Sequence, residues 1–362
     1  MMFKSLGSDL ALARGLGRQA FALSLAATAG VAAAAPLDAL LEANPAARYG
    51  RVMVEVSADA MNDTLDVFNV RESSGLNVSE GTGDYSGATL RAGFEPAPGF
   101  WLEGALQQRT LTYGPDRPRV DSWRLAGQWR ALEQQGMQPA AALRLSSWGD
   151  SAGELVKSTP TTRCVGSFCL PLERLSVKDP EDLQWQADVV TSWESGQWTL
   201  STFAGLGRGE VKVPSVSTQL FGQTVTYANG AFTPDISGLV DLSNLKAELQ
   251  TLNYRTHTAQ LGFNLAWTQG PWLLRGGYAL QQVHRDGVDD AIKVNKGNPV
   301  TLNHTLLGEA AYKVTEQVYL FARGQWMKSQ FLSEVPFLYN SVTARRFEQQ
   351  YGLVSFGVGA TF

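Results

Sequence analysis

Three histidines, His257, His284 and His304, and two cysteines, Cys164 and Cys169, are the residues of this chain best suited to chemistry. A metal centre needs more ligands than two cysteines and three scattered histidines supply, so no metal is expected. The cysteines lie close together in Arg-Cys-Val-Gly-Ser-Phe-Cys-Leu. A redox-active pair would more often read Cys-x-x-Cys, and in an oxidising compartment these two close a small local disulfide loop. Two positions after the histidines stand Ala259, Asp286 and Leu306, so no serine is placed to be activated as a nucleophile. Asp286, Asp289 and Asp290 near His284 are a faint echo of a histidine–aspartate dyad. The expectation is a chain without catalytic residues and without a cofactor.

The elements that carry these residues begin with an export signal. Lys4, Arg14 and Arg18 precede a charge-free stretch from Gln19 to Leu37, whose core Phe21–Val31 has the length of a signal-peptide h-region. Ala32-x-Ala34 offers small residues at both positions a signal peptidase reads, giving a signal peptide over 1–34 and a new start at Ala35-Pro36. An uncleaved inner-membrane anchor is the alternative, and an alanine-rich rather than leucine-rich stretch speaks against it. Without Lys4, Arg14, Arg18 and Asp9, 27 basic residues face 33 acidic ones. Residues 35–48 are expected to form a periplasmic N-terminal segment, with Leu37–Ala43 as a short periplasmic or plugging helix.

Composition alone would fit a soluble globular protein: 362 residues, 44% hydrophobic, 18% charged, with a formal net charge of −4 that makes nucleic acid a poor partner. The pattern says otherwise. Beyond Arg48 period-2 alternation recurs in twelve segments, beginning near Tyr49, Tyr85, Phe100, Val120, Pro139, Leu183, Trp198, Tyr254, Trp272, Thr301, Val318 and Tyr351. Short turns at Glu95–Gly99, Glu133–Gln138, Glu194–Gln197, Thr268–Pro271 and Thr315–Gln317 alternate with long connections at 63–84, 113–119, 150–182, 213–253, 287–300 and 336–350. The alternation is that of a twelve-strand up-and-down meander with both termini on the short-turn side.

Three features set which face is inside. Charged side chains recur on the polar faces, and Phe94, Phe100, Trp193, Trp198, Trp267, Trp272 and Phe362 bracket the apolar faces near the short turns. Aromatic girdles, short periplasmic turns and long extracellular loops mark barrels that cross an outer membrane. In hydrocarbon every backbone group must be paired, so the sheet closes on itself. The final run, Ser355-Phe-Gly357-Val-Gly-Ala360-Thr-Phe362, resembles the terminal β-signal of bacterial outer-membrane proteins, with Ala360 smaller than the usual hydrophobic. The resemblance implies that Ser355, Gly357, Ala360 and Phe362 are read by the barrel-assembly machinery. It also implies an all-β transmembrane barrel over 49–362, located in the bacterial outer membrane and surrounded by outer-membrane lipid and lipopolysaccharide.

With the polar faces inward, Arg51, Arg91, Arg109, Arg124, Arg130, Arg144, Arg275, Lys313 and Arg323 line the lumen, joined by Glu55, Asp59, Glu103, Asp188 and Glu309. Such a wall is net basic and favours diffusion of small polar, preferably anionic, solutes. The competing reading pairs these charges into networks that stiffen a closed structural, adhesion or assembly barrel acting through its loops. The loop 213–253 is expected to fold over or into the mouth, through a hairpin-like run Thr218–Tyr227 and an amphipathic stretch Asp241–Leu249. His257, His284 and His304 fall on the apolar parity, above the membrane, where with Arg255 they could touch lipopolysaccharide phosphates. A rim lipid hydrolase is the third reading, and the chain lacks the His-x-Ser pair that outer-membrane phospholipase carries.

Overall fold

The computed structural model describes residues 40–61, 84–112, 116–158, 161–165, 168–220, 222–235, 243–294, 297–328, 335–341, 344 and 350–362. The signal-peptide stretch and residues 37–39 lie outside them. In chain order the strands are β1 (Val52–Met61), β2 (Asp84–Ala97), β3 (Phe100–Thr112), β4 (Arg119–Leu132), β5 (Ala140–Ser151), β6 (Glu154–Lys157), β7 (Thr161–Val165), β8 (Phe168–Leu172), β9 (Leu175–Lys178), β10 (Glu181–Ser195), β11 (Trp198–Lys212), β12 (Ser215–Leu220), β13 (Gln223–Ala228), β14 (Ala231–Thr233), β15 (Tyr254–Gln269), β16 (Trp272–Arg285), β17 (Leu302–Lys313), β18 (Val318–Lys328) and β19 (Gln350–Thr361).

Twelve of these, β1–β5, β10, β11 and β15–β19, form one closed antiparallel barrel in which neighbours in sequence are neighbours in space. The barrel closes where β1 pairs with β19, from Met53 opposite Thr361 through Val56 opposite Val358. All twelve alternating segments of the sequence are barrel strands, because a period of two is the one pattern that keeps a strand wet on one side and apolar on the other. The two-residue turns at one end lean on glycine: Gly196 and Gly270 take φ of +59° and +56°, the left-handed region that tight hairpins require.

Outside, large apolar side chains stand free, among them Leu206 at 71%, Phe356 at 64% and Leu125 at 61% exposure. A belt of this kind around a closed wall is a surface for lipid tails, not for water. Near the short turns the belt ends in rings with polar handles. Trp267 donates its Nε1–H to Gln197 at 3.1 Å, Trp193 donates to the Met137 carbonyl at 3.1 Å, and Trp272 meets Tyr312 edge-on at 4.8 Å.

The long-loop end is ordered in the described residues. A five-stranded sheet, in the order β14-β13-β12-β9-β6, rises there, and β7 with β8 make a separate hairpin. The expected hairpin in 213–253 is β12–β13, and the amphipathic stretch forms the helix Ser243–Gln250. Beneath the sheet an apolar cluster that includes Val211, Tyr254, Val288, Ile292, Met327, Phe337 and Tyr339 caps the barrel mouth. Tyr254 donates its hydroxyl to the Pro336 carbonyl at 2.8 Å, which ties the 335–341 segment to β15.

β7 and β8 set the backbone of Cys164 opposite that of Cys169, while the side chains of this hairpin lie outside the described residues. A disulfide across this pair is expected. Intact mass should be lower by two hydrogens and rise on reduction, with both thiols then open to alkylation; free alkylation without reductant would refute the bond.

Candidate functional site

The interior of the barrel is the site, and its floor is a continuous ionic network. Arg275 on β16 holds Glu309 on β17 at 2.6 Å, and Arg323 on β18 holds Glu309 and also reaches Glu55 on β1 at 2.8 Å. Glu55 accepts from Arg91 on β2 at 3.2 Å, Arg91 binds Glu103 on β3 at 2.7 Å, and Arg144 on β5 returns to Glu103 at 3.2 Å. From β16 round to β5 the chain of pairs skips β19 and β4, and it does not extend to β10, β11 and β15. Over β19 the reason is visible: its inward residues there are Gly357 and Gly359, opposite Phe321 and Tyr319. A Cβ on Gly359 would lie 2.2 Å from the Tyr319 ring, so the ring passes over the glycine and its hydroxyl donates to Glu55 at 2.7 Å. Two strands that do not touch, β18 and β1, are thereby clasped across the closing strand.

Higher up, amides take over. Asp188 on β10 accepts from Gln186 at 2.9 Å and from Gln260 at 2.8 Å, and Asp59 accepts from Thr89 at 2.6 Å. Arg124 lies 5.2 Å from the centre of the Trp148 ring. Nearer the mouth Arg109 is bound to Ser122 and Asp150, and Arg285 to Asp289 at 3.2 Å.

The floor also holds the N-terminal segment. Of the two places expected for Leu37–Ala43, periplasmic or plugging, the described residues 40–43 take the second, buried and enclosed by the wall, but 41–43 belong to no helix and the helix is Pro45–Tyr49. Proline at the start of that helix supplies a preset φ and no N–H to satisfy. Wall side chains bond the segment's main chain. Asn264 donates to the Leu41 carbonyl at 2.7 Å, Gln128 to the Glu42 and Ala43 carbonyls at 2.8 and 3.1 Å, and Ser192 accepts the Ala43 N–H at 2.8 Å. Leu40 and Leu41 pack on Ala140, Ala142, Val190 and Ala279. Glu42 pairs with Arg48 at 2.6 Å and stands 3.8 Å from Arg275, and Tyr49 stacks on Trp101 while accepting from Arg275 at 2.7 Å.

Of the thirteen residues expected to line the lumen, Glu55, Arg109, Arg124, Arg144, Asp188, Arg275, Glu309 and Arg323 are buried inside, and Arg91 and Glu103 nearly so. Asp59, also expected on the wall, is buried there. Three are placed elsewhere. Arg51 and Lys313 keep inward parity or stand next to it, but at strand ends, where they are exposed. Arg130 sits by a register shift in β4 and pairs with exposed Glu133 at 3.2 Å. Sequence reasoning missed Asp150, Asp182, Arg285 and Asp289, all buried. The first two continue the polar alternation of their own strands, Arg144-x-Ser146-x-Trp148-x-Asp150 and Asp182-x-Gln184-x-Gln186-x-Asp188, so extending each strand by a residue or two would have found them. On the wall strands seven arginines thus meet seven carboxylates among the described residues, with Asp289 in the helix Val288–Val294 beyond β16, where the sequence suggested a basic excess.

The remaining sequence candidates lie apart from this interior. His257 and His284 are paired positions of β15 and β16 on the outer face, each 3.7 Å from Asp286, and His284 is 3.5 Å from Asp289. His304 shares a 2.8 Å hydrogen bond with the Tyr278 hydroxyl. None of the three has a serine hydroxyl as partner, and no group of three or more His, Cys, Asp or Glu is arranged to hold a metal among the described residues. In the terminal run Ser355 is buried and Phe362 exposed, and the Phe362 carbonyl accepts the Arg51 and Val52 N–H groups at 2.9 and 3.0 Å.

No protein-family model and no curated protein sequence matches the chain. Among solved structures, the translocator domain of the autotransporter NalP from Neisseria meningitidis superposes with a TM-score of 0.47 and 12% identity, over 98% of this chain and 97% of that one. The NanC porin superposes at 0.44 and 9% identity, over 85% and 100%. The outer membrane phospholipase of Salmonella typhi follows at 0.34 and 13% identity, over 85% and 90%. A translocator, a porin and a lipase share these likenesses, which leaves the activity of this chain to its own residues.

Proposed function

We propose that this barrel stands in the bacterial outer membrane, after export and cleavage of its signal peptide, and serves as a channel for small polar solutes. The observation that carries the reading is the wall itself. Apolar side chains are turned to the outside, and arginines, carboxylates and amides to the inside over the height of the strands. A barrel needed only as a scaffold can fill its interior with apolar side chains, and twelve strands leave room for a hydrated path once the enclosed segment is displaced. The anionic preference suggested by the sequence is not retained in strength, because seven arginines against seven carboxylates on the wall strands cancel. Weak ion selectivity, with neutral polar solutes passing too, follows from that balance. Lipopolysaccharide around the rim and the assembly machinery at the C-terminal run are the partners this placement implies, and the channel reading asks for no catalytic residue or cofactor.

The second reading, a closed adhesion or assembly barrel, is favoured by the apolar cap and the five-stranded sheet above it. One measurement separates the two. Refolded protein lacking residues 40–48 is placed in a planar bilayer. Discrete current steps with a cation-to-anion permeability ratio near one are expected. Silence in that variant, and again when 335–341 is also removed, would leave the closed-barrel reading standing.

A further inference from the structure

We infer that residues 40–48 are a displaceable plug that closes the channel from within; this rests on the channel reading above. Three observations carry it. The first is how the segment is held. The wall amides Asn264 and Gln128 and the Ser192 hydroxyl bind only its main-chain atoms, so each bond can be exchanged for one to water as the segment leaves.

The second is the way charge is divided. Glu42 keeps its own counter-ion, Arg48, at 2.6 Å within the segment, and Arg275 keeps Glu309 at 2.6 Å within the wall. The contact between the two pairs is the long one, 3.8 Å from Arg275 to Glu42. Separation therefore leaves no arginine or carboxylate stranded, the cost that otherwise makes buried ion pairs hard to open. The third is mechanical. The apolar seat of Ala140, Ala142, Val190, Phe203, Ala279 and Leu307 holds the segment by non-directional contact, and the described tie of the segment runs through Gly50, at φ +69°, into β1. A structural strand would be laced into the ladder; this segment is not.

The experiment locks the plug. Ala43 and Ser192 are replaced together by cysteine, in a Cys164→Ser/Cys169→Ser background, since the Ala43 N–H already rests on the Ser192 hydroxyl at 2.8 Å. In bilayers the oxidised protein is expected to pass at least tenfold less current than the same protein after reductant, and re-oxidation should restore the block. The single Ala43→Cys protein in vesicles should react with a membrane-impermeant maleimide, because the segment leaves its seat. Equal currents in the oxidised and reduced states would overturn the plug while leaving the channel. So would an Ala43→Cys protein that never reacts although a Gln317→Cys protein, altered at an exposed turn, does. Labelling of the Ala43→Cys protein, with no current in any state including the 40–48 deletion and the further removal of 335–341, supports the moving segment and removes the channel reading instead.

Discussion

Replacing Glu55 by alanine is expected to lower the unfolding free energy of the refolded barrel by about 3–5 kcal/mol, the range found when one partner of a buried ion pair is removed. Glu55 is 2% exposed and takes three donors: Arg323 at 2.8 Å, Arg91 at 3.2 Å and the Tyr319 hydroxyl at 2.7 Å. Truncation leaves all three facing a methyl group. Arg323 and Arg91 still have Glu309 and Glu103, so the barrel should survive, at a lower urea midpoint in micelles or vesicles. Pairing Glu55→Met with Arg323→Met should recover part of the loss, because it removes both the buried charge and the charge that needs it. A single-variant loss below about 1 kcal/mol, typical of an exposed pair, would mean that water already screens the floor of the barrel.

The second large effect is expected at Gly357. A Cβ there would stand 2.4 Å from the Val56 carbonyl oxygen and 2.3 Å from the Phe321 ring. The ring can turn, but the carbonyl belongs to the backbone of β1, so Gly357→Ala must push β19 away from its partner at the closing seam. A loss of about 3 kcal/mol, at the upper end for overpacking, is expected in refolding from denaturant without any cellular machinery. Gly276→Ala and Gly308→Ala are the controls, since nothing lies within 4 Å of a Cβ at either, and they should unfold like the parent. If Gly357→Ala refolds unchanged in vitro yet fails to assemble in cells, the glycine serves recognition and not packing. The resemblance of the C-terminal run to an assembly signal and the packing of its glycine are thus separable.

The fold was legible because each barrel strand states its orientation twice over, in apolar residues and in the charged or amide residues between them. Val354, Phe356 and Val358 against Ser355, Gly357 and Gly359 needs no partner to be read. Parity also led to the ionic floor, from Arg275 to Arg144. What parity does not carry is depth. Lys313 shares the parity of Glu309 but lies two positions beyond the last inward-packed residue, Ala311, and so meets water. Nor does it carry the destination of a segment whose binding uses peptide groups. Residues 40–43 are held through carbonyls and an N–H, which every sequence possesses, so Leu-Leu-Glu-Ala left the periplasmic and plugging places open. The loop elements fell between these cases: the hairpin β12–β13 announced itself by alternation, whereas the cap was built from apolar residues scattered over four connections and the ends of six barrel strands.

The Tyr319–Gly359–Glu55 crossing has a consequence for how the cylinder settles on its dimensions. The lipid-facing side of the seam is nearly indifferent to an even slip, because Val54, Val56 and Ala58 meet Ala360, Val358 and Phe356, and moving either strand by two residues still sets apolar against apolar. A slip of that size alters the shear of the closed sheet, and with it strand tilt and bore. Inside, the same slip would take Glu55 from the glycine over which the phenol passes and set the carboxylate against the wrong neighbour. The hydrocarbon side can thus choose orientation but not stagger; one acid, one glycine and one phenol do the proofreading, and they admit a single circumference.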